Sequence, residues 1–423
     1  MILFRCLLIA YSAILFLAYV VLGVKADLTP VSYLYILMAN IYMVLCSRRN
    51  FLLFILAFIV FFCNYSIIFA NFTDKIDDIY TIPLSSESFM SSINILTLFN
   101  LFLFICVKWD KILLGFENNV FVNSREKDSI ILYVLYALLI PIFFLGFTNP
   151  EVEGQRGNQS AAYEYSAILF MLFFYYSGNQ KWHLRAGVLL VCAFSLQSFV
   201  FGGRIEGIQF ILVTYVMLFM HRISMPKVMI AMGVMFFLMS VVGVVRGELL
   251  YGNVDFLSIV TSLVNGGFSL DTAYSAYYTS ESFVYVLDKF TIQEILIFGG
   301  EFLKSIFVGA NPDMLLTSIS NEYVQHYGGG LTPFYFYFYL GVFGVLIAAC
   351  LVAFYINIVI NLKEQSSGYL KCLSVWIVST TFRWYLYTPI GLLRGVLLLT
   401  IAYYAFAYLH YQLNRLPCWQ KNK

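Results

Sequence analysis

Four arginines stand out by position. Arg204 sits in the tight turn Gly202-Gly203-Arg204-Ile205-Glu206, and Arg246 in Val244-Val245-Arg246-Gly247-Glu248. Arg383 and Arg394 flank a turn between the last two apolar runs. A guanidinium is a planar fork of donors that suits phosphate. An ionisable group bordering a membrane is costly enough to need a reason. Four such groups from different helices could converge on a lipid-linked diphosphate. Alternatively, each snorkels to headgroups or pairs with a nearby acid such as Glu206 or Glu248.

Proton transfer needs a different set. His326 lies in Asn321-Glu322-Tyr323-Val324-Gln325-His326-Tyr327, just before Gly328-Gly329-Gly330, where glycines permit a sharp bend or a close approach. Glu322 and Asp313 are candidate general bases beside it, with Glu281 and Glu301 in the same stretch. Each of these acids has the plainer reading of a solvated carboxylate, and His326 that of an interfacial histidine at a bend. Tyr274, Tyr277, Tyr278 and Tyr323 carry rings that could stack on sugars. No two histidines stand at metal-ligand spacing, so neither a metal nor a cofactor is expected.

These residues must be positioned by membrane helices. Of 423 residues, 61% are hydrophobic and 11% charged, too few charges to cover a soluble core of this size. That excludes a soluble enzyme, a nucleic-acid binder and a disordered protein. Long apolar runs predict about twelve transmembrane helices, near 2–24, 29–46, 51–70, 89–107, 129–147, 162–178, 186–202, 205–220, 226–245, 331–358, 370–388 and 391–411. Lys and Arg cluster in alternate loops, at Arg48-Arg49, Lys108 to Lys127, Lys181 and Arg185, Arg222 and Lys227, and Lys363 and Lys371. This pattern puts both termini in the cytoplasm. Residues 1–26 are expected to stay as a first helix rather than be cleaved as a signal, because their apolar stretch is long and a second follows at once.

Residues 246–330 are then the one long excursion, with nine acids against three bases. Any anion site there must be local and built from arginine. The division expected is 1–245 for nine helices, 246–330 for a large outer loop, and 331–423 for three helices and a tail. Within the loop, 255–264 and 292–308 show helical apolar spacing that suits short helices along the interface. Phe334 to Tyr339 alternates Phe and Tyr, which suits an aromatic belt and helix packing. Nucleotide-binding glycine motifs are absent, and the eight cysteines contain no CxxC pair.

The whole pattern resembles the O-antigen polymerase family of bacterial inner membranes. The resemblance spans nearly the whole chain in architecture: many spans, one large periplasmic loop late in the sequence, both termini inside. Locally it rests on Gly202-Gly203-Arg204 between two central spans, Arg246 opening the loop, and Gly328-Gly329-Gly330-Leu331-Thr332-Pro333 closing it before Tyr339-Leu340-Gly341-Val342-Phe343-Gly344. The related O-antigen ligases carry a histidine at the position of His326.

What the resemblance implies is an all-α, GT-C-like membrane glycosyltransferase of lipopolysaccharide biosynthesis. It would transfer a growing glycan from undecaprenyl diphosphate to a new lipid-linked repeat unit on the periplasmic side. Arg204, Arg246, Arg383 and Arg394 would bind diphosphate, and Glu322, His326 or Asp313 would handle the proton. Tyr274, Tyr277, Tyr278 and Tyr323 would bind glycan. Expected partners are undecaprenyl diphosphate-linked oligosaccharides, the lipid bilayer and a chain-length regulator protein, with no nucleic acid. The alternatives are an O-antigen ligase, with the same chemistry and another acceptor, and a lipid-linked oligosaccharide flippase, for which the long loop is unsuited.

Overall fold

A computed structural model describes residues 2–73, 84–109, 129–148, 158–178, 180–200, 203–219, 224–250, 256–265, 269–309, 311–326, 328–363 and 365–415. The helices are α1 (Ile2–Leu22), α2 (Thr29–Ser47), α3 (Phe51–Thr73), α4 (Ser86–Cys106), α5 (Ser129–Leu145), α6 (Ala161–Glu164), α7 (Ser166–Tyr176), α8 (Lys181–Val200) and α9 (Arg204–Thr214). Then come α10 (Met225–Leu250), α11 (Phe256–Asn265), α12 (Asp271–Leu287), α13 (Ile292–Phe307), α14 (Leu316–Asn321), α15 (Thr332–Ile360), α16 (Gly368–Ser379), α17 (Thr381–Leu386) and α18 (Pro389–Arg415). The starts follow local chemistry. Ser85 caps α4, Ser367 caps α16, and prolines open α2 and α15.

Each of the twelve apolar runs contains helix. Eight helices among the described residues are long and apolar enough to cross a membrane: α1–α4, α8, α10, α15 and α18. The chain is an all-helical polytopic membrane protein. The other four runs are shorter or interrupted. Helix α5 has 17 residues with Pro141 inside, and α7 has 11. The eleven residues of α9 continue into a π-helical turn at Tyr215–Phe219. The eleventh run breaks at Thr380 into α16 and α17.

Packing groups the chain differently from the topological division at 246 and 330. One compact unit holds Met1–Gly115, Met225–Asn361 and Thr381–Leu392, and the other holds Phe116–Ser224, Leu362–Thr380 and Leu393–Lys423.

In the first unit, α12 does not stand off as part of a loop. It packs on α3, α4, α15 and α17, with Tyr274, Tyr277, Tyr278 and Glu281 buried. Helix α13 begins with a capping box between Thr291 and Glu294 and turns Leu296, Leu303 and Phe307 outward. Inside the bundle, polar side chains pair across helices, as a low-dielectric interior requires. Asn40 of α2 donates to Asn100 of α4 (2.9 Å), Asn64 of α3 donates to Asn40 (3.2 Å), and Tyr385 of α17 donates to Asn64 (2.7 Å). Helix α15 kinks at Gly341, whose φ of 58° lies in the left-handed region. Within the Phe334–Tyr339 run, Phe334, Tyr335 and Phe338 are buried as core, while Phe336, Tyr337 and Tyr339 are half-buried.

The second unit is built on an aromatic nucleus of Tyr163, Phe170, Phe194 and Phe210. The Tyr163 hydroxyl donates to Phe194 O (2.9 Å). A two-residue antiparallel pairing joins Phe147–Thr148 to Asn158–Gln159.

Candidate functional site

The segment after α14 is held by an unusual run of backbone angles. Gly328, Gly329 and Gly330 have φ of 81°, 88° and 134°, all in the region that side chains resist. A Cβ at Gly330 would meet the Phe283 ring at 2.7 Å, and one at Gly329 would meet Leu386 O at 3.1 Å. The run is stitched to α12 and α17. Gly330 N–H donates to Leu386 O (2.9 Å), Leu331 N–H to Ser280 Oγ (2.7 Å), and Thr279 Oγ1 to Gly328 O (3.1 Å). Thr332 Oγ1 donates to Trp384 O, and the Tyr335 hydroxyl reaches Tyr387 O at 2.7 Å. The glycines therefore serve close packing, and they fix α12 against the short helix that carries Arg383.

His326 is buried beside this bend. Gly328 N–H donates to Nδ1 (3.0 Å), so the ring proton sits on Nε2, 2.8 Å from Ser320 Oγ. Ser320 in turn donates to Thr317 O, and Asn321 Oδ1 accepts the His326 N–H. Burial pushes the imidazole down to about 4, so it is neutral at pH 7. Both ring nitrogens are engaged in holding the turn. That geometry suits positioning of the Gly328–Gly330 segment.

The acids separate sharply. Asp313 and Glu322 are exposed, in a short turn and at the end of α14. Glu301 is tied to Lys304 (3.1 Å) and accepts Asn311 N–H. Glu281 alone among them is buried, at 3% exposure. Ser88 Oγ, in the first turn of α4, donates to its Oε1 (3.1 Å), and no described residue bonds Oε2. Burial raises the carboxyl to about 7, against the lowering effect of the Ser88 hydroxyl.

Tyr277 lies one turn before Glu281 on the same face of α12 and is fully buried. Its hydroxyl has no hydrogen-bond partner among the described residues, nor does either amide atom of Asn71 at the end of α3. The Tyr277 and Tyr33 hydroxyls nonetheless both come close enough to that amide to interact with it as side-chain hydrogen bonds, short of good alignment. Comparison with family models, curated proteins and solved structures gives no match to this chain. The site must therefore be read from its own atoms.

The arginines fall into two sets. Arg246, on the last turns of α10, and Arg383, on α17, belong to the first unit. The side chain of Arg246 is outside the described residues. Arg383 is half-buried, its side chain 3.3 Å from where a Cβ on Gly391 would sit. Arg204 and Arg394 belong to the second unit. Arg204 opens α9 behind Gly203, where a Cβ would run into Gln159, while Gly202 lies outside the described residues. Arg394 lies against the Tyr165 hydroxyl.

Of the four tyrosines, Tyr274, Tyr277 and Tyr278 are buried in α12 packing. Tyr323 is 47% exposed and has Lys289 over its ring at 4.5 Å. Among the described residues no three His, Cys, Asp or Glu side chains gather as a metal site. Ser88, Asn71 and Tyr33 were not legible as site residues. A serine in a first helical turn, an asparagine at a helix end and a tyrosine inside an apolar run carry no motif.

Proposed function

We propose that this chain is an O-antigen polymerase, spanning a bacterial inner membrane about twelve times with both termini in the cytoplasm. It transfers a growing glycan from undecaprenyl diphosphate to a new lipid-linked repeat unit on the periplasmic side. The observation that carries this reading is the treatment of residues 246–330. The described residues of that acidic segment pack into a helical bundle, with α12 buried and the Gly328–Gly330 run locked to the short helix bearing Arg383. A transporter gains nothing from so long a segment fixed in this way. An enzyme gains a rigid wall for two large substrates.

In this reading the acceptor hydroxyl attacks the anomeric carbon and the lipid diphosphate leaves. Negative charge grows on the diphosphate, and fixed guanidinium groups stabilise it. Arg246 and Arg383 supply that charge within the first unit. Arg204 and Arg394 belong to the other unit, and each is tested for a role in lipid diphosphate binding by its own variant. Tyr323 offers the exposed ring for glycan stacking. His326 positions the glycine segment, and a chain-length regulator protein acts as partner. No metal is required.

Deletion of the gene tests the reading. Surface polysaccharide should collapse from a ladder to single repeat units, and replacing Arg204 or Arg246 by Ala should give the same pattern with normal protein levels. Loss of all surface glycan points instead to a ligase or a flippase. An unchanged ladder in both arginine variants removes the diphosphate clamp. Chelators should leave the purified reaction unchanged.

A further inference from the structure

We infer that Glu281, with Ser88, Tyr277 and Asn71 around it, forms the subsite for the attacking sugar hydroxyl, and that Glu281 is the general base. The inference rests on the polymerase reading and adds to it the identity of the proton acceptor. Three features carry it. The first is incomplete hydrogen bonding. Buried polar groups almost always find partners, and each exception calls for an explanation. Among the described residues the Tyr277 hydroxyl and the Asn71 amide, on different helices, make no well-aligned hydrogen bond, although Tyr277 and Tyr33 both come within reach of that amide. Among the described residues nothing bonds Oε2 of Glu281, while Oε1 is fixed by Ser88 at 3.1 Å.

The second feature is chemical type. A carboxylate, a carboxamide, and serine and tyrosine hydroxyls among aromatic rings are the groups that recognise a polyol. Among the described residues, neither Lys nor Arg pairs with Glu281. The titratable groups that face it are tyrosines: Tyr33 from α2, and Tyr277 and Tyr278 from its own helix. The site is therefore built for a neutral hydroxyl and not for an anion, so it complements the arginines and does not duplicate them.

The third feature is rigidity. Glu281 follows Thr279 and Ser280, which bond Gly328 O and Leu331 N–H, so its backbone is clamped by the glycine run. A base held at fixed geometry loses little entropy in the transition state. Burial also raises its proton affinity toward neutrality, where a base is most effective.

The step balances as follows. The acceptor hydroxyl oxygen forms a bond to the anomeric carbon of the donor glycan. The bond from that carbon to the diphosphate oxygen breaks, and its electron pair leaves with the lipid diphosphate. The hydroxyl proton passes to Oε2 of Glu281 and then to water before the next cycle.

The experiment uses the full-length protein in vesicles, with lipid-linked repeat units extracted from the deletion strain as donor and acceptor. E281Q keeps the shape and the bond to Ser88 but cannot take a proton. Its turnover should fall by about 100-fold or more at unchanged acceptor KM. E281D should keep part of the activity, and Y277F should raise acceptor KM several-fold with turnover nearly intact. Wild-type turnover should rise about tenfold per pH unit below the titration of Glu281 and level above it. If E281Q elongates chains within about threefold of wild type, the base assignment is overturned. Should E281Q not fold, a flat wild-type rate between about pH 5 and pH 9 overturns it instead. If wild type itself elongates nothing, the polymerase reading fails, and that outcome is distinct from the other two.

Discussion

The asparagine cluster of Asn40, Asn64 and Asn100 and the carboxylate cluster around Glu281 draw on the same three helices, α2, α3 and α4. They differ in completeness. In the first, every side-chain amide finds a partner. Asn40 and Asn100 also donate to Ile36 O and Leu96 O, and Tyr385 closes the set from α17. In the second, a tyrosine hydroxyl and a carboxamide make no well-aligned bond among the described residues. A satisfied buried network rigidifies a core, whereas a partly satisfied one costs stability that folding alone does not repay. The comparison teaches that polarity inside this bundle has two uses. One cluster ties α17 to the bundle, and the other keeps hydrogen-bonding capacity that the described residues do not fill.

The largest effect should come from opening the closed cluster. Asn64→Ala strands the Tyr385 hydroxyl and Asn40 Oδ1 and leaves a void, and should cost about 3–4 kcal/mol, read as a drop in unfolding temperature in detergent. Residual activity should track the folded fraction. Normal stability in this variant would show that the network is ornamental.

Next in size is the pH dependence that Glu281 imposes. Its carboxyl titrates at 4.5 when unfolded and at about 7 when folded. The folded state therefore holds the proton more tightly, and stability is lost as pH rises from the first value through the second. The full shift corresponds to at most about 3 kcal/mol. His326, lowered from 6.5 to about 4, acts with the opposite sign in the same window. The proper measurement is thus the difference between wild type and E281Q, which should shrink in E281Q's disfavour toward acid and grow in its favour toward pH 8. A pH-independent difference would place Glu281 in water.

A smaller change is expected for Tyr385→Phe, which deletes one bond of the closed cluster and should cost about 1 kcal/mol without altering substrate affinity. The smallest stability effect belongs to Tyr277→Phe. Its hydroxyl makes no well-aligned bond to any described residue, so unfolding temperature should stay nearly the same, while acceptor affinity falls. If the two Tyr→Phe variants behaved alike in both assays, the distinction between the clusters would be lost.

The sequence revealed the membrane class and the helix positions because apolar runs between charged loops are a strong, local signal. It also placed the glycine run and named Glu281 among four candidate acids. It did not separate those acids by burial. Asp313, Glu322 and Glu281 all sit in one acidic stretch, and nothing local distinguishes an exposed carboxylate from a buried one. His326 drew notice as a histidine near glycines, yet its ring is spent on Gly328 and Ser320.

What the sequence determined by itself is the polytopic helical class, since the hydrophobic length of a segment decides whether it can cross a bilayer. It also determined the sharp bend at Gly328–Gly330, which only residues without a Cβ can make. The tertiary structure decided which polar groups meet. It buried α12 against α3 and α4, brought Ser88 to Glu281 across 193 residues of chain, and set the Tyr277 hydroxyl beside the Asn71 amide without a well-aligned bond among the described residues. Burial and hydrogen-bond completeness arise from contacts between distant segments, so no reading of spacing along the chain could have supplied them.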